Sequence, residues 1–298
     1  MPREPSADNP DARDSDAIDP VLGLRIEPVD RLDDPRLAPY ANLRDAQLRH
    51  AQLGMFMAEG ELVVELLIDS GRPIDSILLT PTRLAAMQDR LAALKTHTPI
   101  YLASQDVMDG IVGMHMHRGV LAVGRRTPPP ALTDLVASAP GLLVLEDLSN
   151  HDNVGSLFRS AAALLPTGSA VVLSPGCCDP LYRKSLRVSM GHALRVPYTA
   201  ATEWPGDLQR LRDLGFVVVA LTPGAGSVDL DTAAAQLRGT HAKRLALLLG
   251  TEGRGLSDAA CAAADLRVRI AMSPGVDSLN VAVAGAIAMH RLFAPSPR

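Results

Sequence analysis

Four segments in the second half of the chain are apolar almost from end to end: GLLVLED at 141–147, SAVVLS at 169–174, GFVVVALT at 215–222 and RLALLLG at 244–250. A strand with one face in water alternates apolar and polar residues; a strand buried on both faces does not. Such strands belong to parallel sheets covered by helices on both sides. Helical stretches alternate with these four, so a helix-covered parallel sheet is expected from about residue 138 onward. Open parallel sheets hold ligands at the carboxyl ends of their strands, which directs attention to the neighbouring loops.

Three of those loops carry candidate chemistry. The first, EDLSNHDNVGSLFR, leads into DNVGSLFRSAAALL at 152–165, where Val154, Leu157, Phe158, Ala161 and Leu165 repeat as one buried helical face. Arg159 sits on the shoulder of that face, and Gly155 one turn earlier leaves a predicted gap beside a permanent positive charge. Asp152 or Asn153 is expected to cap the helix and leave its first N–H groups free. The simpler alternative is a capped helix with an arginine at the domain edge. The second loop, LLLGTEGRGLS, nearly spells a phosphate-binding G-x-x-x-x-G-K-[ST] sequence, but Leu256 stands where the lysine belongs and Glu252 would repel a phosphate. Glu252 could instead accept hydrogen bonds from a cation, an amine or a ribose hydroxyl. The third, IAMSPGVDSLNVAVAGAIAMH, turns through Pro-Gly into Ser278, a predicted N-cap, and then into a helix of small residues suited to core packing or a subunit interface. PGAGSVD at 223–229 lacks the last glycine of a dinucleotide fingerprint, which removes a nicotinamide enzyme along with the nucleotide triphosphatase.

The first half reads differently. Residues 1–39 hold 10 acidic and 5 basic side chains and are expected to be an acidic, mostly disordered tail. A helix through EGELVVELLIDSG, with Leu62, Val63, Leu66 and Leu67 inward, is followed by alternating strand and helix patterns that predict a small α/β domain over 40–125. Three consecutive prolines in RRTPPPALTD mark a linker, 126–137, before the second domain at 138–298. Of the whole chain's 33 acidic and 29 basic residues, 23 and 24 fall after residue 39, so the folded part is close to neutral and permits a basic patch for nucleic acid. Three cysteines, two of them adjacent, suit a reduced compartment. HMH at 115–117 has no further ligand at zinc spacing, so no metal is expected. The longest stretch of apolar character, 279–289, is 11 residues against the roughly 20 of a membrane helix, and the N-terminus has no targeting pattern; a cytoplasmic location is expected.

Taken together and in order, DNVGSLFRSA, LLLGTEGRGLS and IAMSPGVDSLNVAVAGAIAM resemble the three motifs of the SpoU (TrmH-like) RNA ribose 2′-O-methyltransferases of the SPOUT class. DPLYRKSLRVSMGHALRVPY is similar to the family's stretch between the first two motifs, and residues 55–124 resemble a substrate-binding domain of the ribosomal-protein L30e type. The resemblance spans roughly 40–294. It implies an α/β protein: an N-terminal L30e-like domain that helps choose the RNA, and a C-terminal parallel-sheet SPOUT domain with a deep trefoil knot. It further implies a homodimer with the active site near the interface, S-adenosylmethionine as cofactor, and structured RNA as substrate, ribosomal RNA favoured over transfer RNA. By motif position the cofactor would be held around Gly250, Ile270, Met272 and Leu279, while Asn153, Glu252, Ser278 and Asn280 would line the site.

The family's proposed base matches Arg159. A guanidinium with a pKa above about 12 is a poor base at neutral pH, so a phosphate clamp that also stabilises negative charge on oxygen is the better expectation for Arg159. The gap beside Gly155 would then receive the target nucleotide or the methyl donor. A non-catalytic RNA-binding protein on the same fold is the alternative, and the intact Arg159, Glu252, Ser278 and Asn280 count against it. NHDN stands where many members have a proline or glycine before the asparagine, which alters the loop's shape more than its chemistry.

Overall fold

A computed structural model describes residues 23–41, 53–94, 97–112, 119–224, 226–239 and 244–293. The chain divides into two compact units, Met1–Arg126 and Thr127–Arg298.

The first unit is a five-stranded mixed sheet. Its strands are β1 (Ile26–Val29), β2 (Met55–Glu59), β3 (Ile74–Leu79), β4 (Ile100–Ala103) and β5 (Val120–Arg125), in the order β1-β4-β3-β5-β2. The first three in that order run parallel, and β5 is antiparallel to both β3 and β2. Helices α1 (Glu61–Asp69), α2 (Pro81–Leu91) and α3 (Gln105–Val112) connect them. Helix α1 buries Val63, Val64, Leu66 and Leu67, whereas Leu62, expected inside, is exposed. Gly71, at φ +68°, closes it in the left-handed conformation that suits glycine.

The expected tail over 1–39 needs correction from Gly23 onward. Strand β1 and a 3-10 helix, Pro35–Tyr40, belong to this unit, and Leu24, Val29, Leu37 and Tyr40 are buried in it. The acidic residues nearby serve as partners: Arg36 pairs with Glu27 and Asp34, both at 2.6 Å, tying the 3-10 helix to β1. Residues 1–22 and the HMH segment lie outside the described residues.

The second unit is the expected parallel sheet, with seven strands: β6 (Gly141–Leu145), β7 (Ala170–Leu173), β8 (Tyr198–Ala200), β9 (Val217–Leu221), β10 (Val228–Asp229), β11 (Leu245–Leu249) and β12 (Leu266–Arg269). Their order is β10-β12-β9-β11-β6-β7-β8 and every neighbouring pair is parallel. The helices are α4 (Leu132–Val136), α5 (His151–Leu164), α6 (Arg183–Val188), α7 (Gly206–Asp213), α8 (Leu230–Gly239), α9 (Asp258–Ala263) and α10 (Val281–Phe293). Strand β6 is buried at every residue and β11 at all but its first, as their unbroken apolar runs require.

The proline-rich linker is shorter than expected. Helix α4 falls inside 126–137 and buries Val136 in the core of this unit, and Thr199 Oγ1 donates to the Pro130 carbonyl at 2.7 Å. Because all seven strands point the same way, the loops after β6, β9, β11 and β12 leave one edge of the sheet together. Glu146 N–H donates to the Leu249 carbonyl, and Thr222 N–H to that of Val268, each at 2.8 Å, as the strands give way to those loops.

Candidate active site

A cavity of about 650 Å³ opens among these loops. Its walls are Leu221–Gly224 after β9, Leu249–Leu256 after β11, Arg269, Ile270 and Met272 after β12, and Asp277–Leu279 with the first turn of α10. The Gly250–Leu256 loop folds back on its own start: Thr251 and Gly255 form an isolated antiparallel bridge, and a Cβ on Gly250 would run into the backbone of Gly255 and Leu256. Gly253 and Gly255, at φ +84° and +70°, make the reversal in a region that side chains disfavour. Gly250, Ile270, Met272 and Leu279 all line this cavity.

At the rim, Asn280 joins three segments. Its Oδ1 accepts from the N–H groups of Ala282 and Val283, at 3.0 and 3.2 Å, and so caps α10. That leaves Nδ2 to donate to Asn153 Oδ1 and to Glu252 Oε1, both at 2.9 Å. Asn153, Glu252 and Asn280, far apart in sequence, are therefore in direct contact. Ser278 lines the cavity but does not cap the helix; its Oγ donates to Asp277 Oδ1 at 3.3 Å. The cap expected of Ser278 belongs to Asn280, two residues later. In the same way α5 is capped by Asn150, whose Oδ1 accepts from Asp152 N–H at 2.8 Å, and not by Asp152 or Asn153.

The gap expected beside Gly155 does not exist. A Cβ there would lie 2.7 Å from the Ser185 carbonyl and 2.9 Å from Val188 Cβ, so α6 fills the space and the missing side chain serves helix packing. Arg159 is not joined to the Asn280 cluster. It is exposed, and among the described residues its guanidinium has no hydrogen bond or ion pair. Its charge is felt at His192, which burial and the neighbouring Arg195 and Arg159 hold below the ordinary histidine range. Arg159 and Arg195 thus form a basic patch beside His192 on this unit. His192 and Arg195 were missed because they fall in the stretch between motifs and have no pattern of their own. Leu221–Gly224 was missed as well, although a Pro-Gly turn directly after a buried strand is a usable signal.

Nucleophilic catalysis by cysteine finds no support. Burial raises the Cys177 thiol and pushes Cys178 up to about 12, so both stay protonated at neutral pH. Among the described residues no group of three or more His, Cys, Asp or Glu side chains could hold a metal ion, and no helix is long and apolar enough to cross a membrane.

Residues 140–290, which contain the cavity, the Asn280 cluster and Arg159, match the SpoU rRNA Methylase family. A tRNA/rRNA methyltransferase of Mycobacterium bovis, described as uncharacterized, is 44% identical over 271 residues, covering 90% of this chain and 92% of its own length. An AdoMet-bound rRNA methyltransferase of Sinorhizobium meliloti shares the fold with a TM-score of 0.73 and 24% identity, over 90% of this chain and 97% of that one. A solved RNA 2′-O ribose methyltransferase does so with a TM-score of 0.68 and 24% identity, over 89% and 98%. The two likenesses of fold span both units, and the family match covers the segment that builds the site: this chain belongs to the SpoU rRNA methylase family.

Proposed function

We propose that this chain transfers a methyl group from S-adenosylmethionine to a ribose 2′-hydroxyl of structured RNA, ribosomal RNA before transfer RNA. The observation that carries it is the glycine-walled cavity bordered by the Asn153–Asn280–Glu252 cluster, within the segment that matches the family. The volume lies inside the roughly 300–1,000 Å³ usual for small-molecule sites. Backbone groups of Gly250–Leu256 with the apolar Leu249, Ile270 and Leu279 suit a flat nucleoside, and Glu252 and Asp277 suit hydroxyl, amine or cationic groups. S-adenosylmethionine supplies a methyl group on a positively charged sulfur, and Gly250, Ile270, Met272 and Leu279 would hold it.

The protein's own residues then have the task of position. Methyl transfer to oxygen is an in-line displacement, so much of the rate comes from holding the ribose oxygen at the correct angle and distance. Asn280 is pinned by its cap and fixes Glu252 and Asn153. The second oxygen of Glu252 has no protein donor among the described residues and can accept from a ribose hydroxyl. Arg159, without a partner among the described residues, is suited to clamp an RNA phosphate or to stabilise the hydroxyl oxygen as it loses its proton. Ser278 at the cavity wall can donate to, or accept from, the bound groups.

The homodimer belongs to the same proposal. Helix α10 leaves Val283 and Ile287 exposed on one face, and Val276 and Leu279 are exposed just before it, an apolar surface suited to a second copy. So does the trefoil knot, supported by the likeness of fold to family structures and by the return of α10 onto Leu249 and Leu157 at Gly285. The first unit is assigned the choice of RNA, and a cytoplasmic location follows from such a substrate. The test is transfer of labelled methyl from S-adenosylmethionine to unmodified RNA, followed by digestion to nucleosides, for wild type and Arg159→Ala. A labelled 2′-O-methyl nucleoside that the variant fails to make is the expected result. RNA binding without cofactor binding or transfer would favour the non-catalytic alternative.

A further inference from the structure

Glu146, the first residue after β6, does not line the cavity, yet it holds both ends of the loop that does. Its N–H donates to the carbonyl of Leu249, the residue before Gly250. Its side chain reaches the other end: Oε2 accepts from Ser257 N–H at 2.8 Å, and Oε1 from Ser257 Oγ at 2.7 Å. Oε1 also accepts from the indole Nε1 of Trp204 at 2.7 Å. The residue is only 3% exposed, and no lysine or arginine pairs with it among the described residues.

A buried acidic side chain is a poor choice for stability alone, since apolar residues of similar size often stabilise as well or better. What its three donors provide is geometry. With both ends held by one residue, Gly255 and Leu256 are kept against Gly250, and the Thr251–Gly255 bridge closes the turn between them. Trp204 and Leu256 pack against the same hydrophobic core, so the indole is tied to the loop by packing as well as by the shared carboxyl group.

We infer that Glu146 is a positioning residue that sets the shape of the cofactor-binding loop, and that Trp204 senses the state of that loop through it. This rests on the assignment of the cavity to S-adenosylmethionine. Trp204 is the chain's only tryptophan, so emission reports on the surroundings of this one indole, the Glu146 contact among them.

The test uses the full chain. S-adenosylmethionine is titrated into wild type, Glu146→Gln and Ser257→Ala, followed by calorimetry and tryptophan emission, with RNA affinity and thermal midpoint measured in parallel. Wild type is expected to bind with a change in emission. Glu146→Gln puts an amide where three donors converge and should weaken cofactor binding about tenfold or more, raising the KM for cofactor while kcat at saturation stays within about twofold. Ser257→Ala keeps the backbone bond and should weaken binding about threefold, and it decides the matter if Glu146→Gln does not fold. Cofactor affinities within about twofold of wild type, or RNA and cofactor affinities falling together, would overturn the role of Glu146 alone. A folded wild type that binds no S-adenosylmethionine would overturn the cavity's assignment and this inference with it.

Discussion

In the first unit one of five strands, β5, runs against the rest, so loops leave the sheet at both ends; in the second all seven strands are parallel and their following loops gather on one edge. The polar groups follow suit. Those of the first unit are matched internally: Arg36 bridges Glu27 and Asp34, Arg83 meets Glu61 at 2.7 Å, and Tyr40 shares a buried hydrogen bond of 2.7 Å with Ser76. In the second unit the side chains of Arg159, Arg254 and Arg269 and one oxygen of Glu252 have no protein partner among the described residues, and all but Arg159 line the cavity. Matched groups maintain a fold. Groups left open beside a glycine-walled cavity are available to a ligand.

The contrast can be broken by substitutions that separate activity from stability. The largest effect is expected for Arg159→Ala: loss of the open charge proposed to act on RNA should lower kcat/KM about 100- to 1,000-fold. Thermal midpoint and cofactor affinity should stay at wild-type values, and a comparable loss of either would place Arg159 in the fold instead. Gly155→Ala should do the opposite. Its Cβ meets the Ser185 carbonyl, so denaturant unfolding should show a loss of about 1–3 kcal/mol. In the first unit, Tyr40→Phe strands the buried Ser76 hydroxyl and should cost about 1–2 kcal/mol with no change in cofactor affinity.

The smallest effect is in pH dependence. Burial and then the nearby arginines hold His192 below 6.5, so its contribution to stability is complete above 6.5 and is lost as the pH falls through the lower folded value. Asp34 behaves differently: its hydrogen bonds with Arg36 hold it at about 2, so its contribution persists above 3.8 and is lost only as the pH falls through about 2. Acidification from pH 7 to 4 should therefore act on the second unit's histidine while leaving the first unit's Asp34–Arg36 pair intact. Arg159→Ala should move the His192 titration, followed by NMR of the imidazole, upward; an unchanged midpoint would separate Arg159 from the basic patch.

What could be read from the sequence divides along the same line. Strands β6, β7, β9 and β11 announce themselves because a strand buried on both faces has no choice of composition. Strands β8 and β10 were missed because two or three residues carry too little pattern, and β12 because LRVR interrupts its apolar residues with arginines. The acidic segment before residue 40 hid β1 and Leu37 because its average composition outweighed three buried residues, Leu24, Val29 and Leu37. Glycines were the least legible part of the site. Gly155 and Gly250 both mark a place where a Cβ cannot fit, but only the fold shows that a helix fills the first space and that a loop closing on itself fills the second. Asn280 was found through its motif, yet the reason it joins Asn153 to Glu252, an amide oriented by its own helix cap, depends on three segments meeting in space.

The most direct test is calorimetric titration of S-adenosylmethionine into wild type and Gly250→Ala, with Tyr40→Phe as the control from the other sheet. Binding at one site per chain, weakened about 100-fold or more by Gly250→Ala and unchanged by Tyr40→Phe, is the predicted result. Wild-type affinity in Gly250→Ala would contradict the assignment of the cofactor to the loops of the parallel sheet.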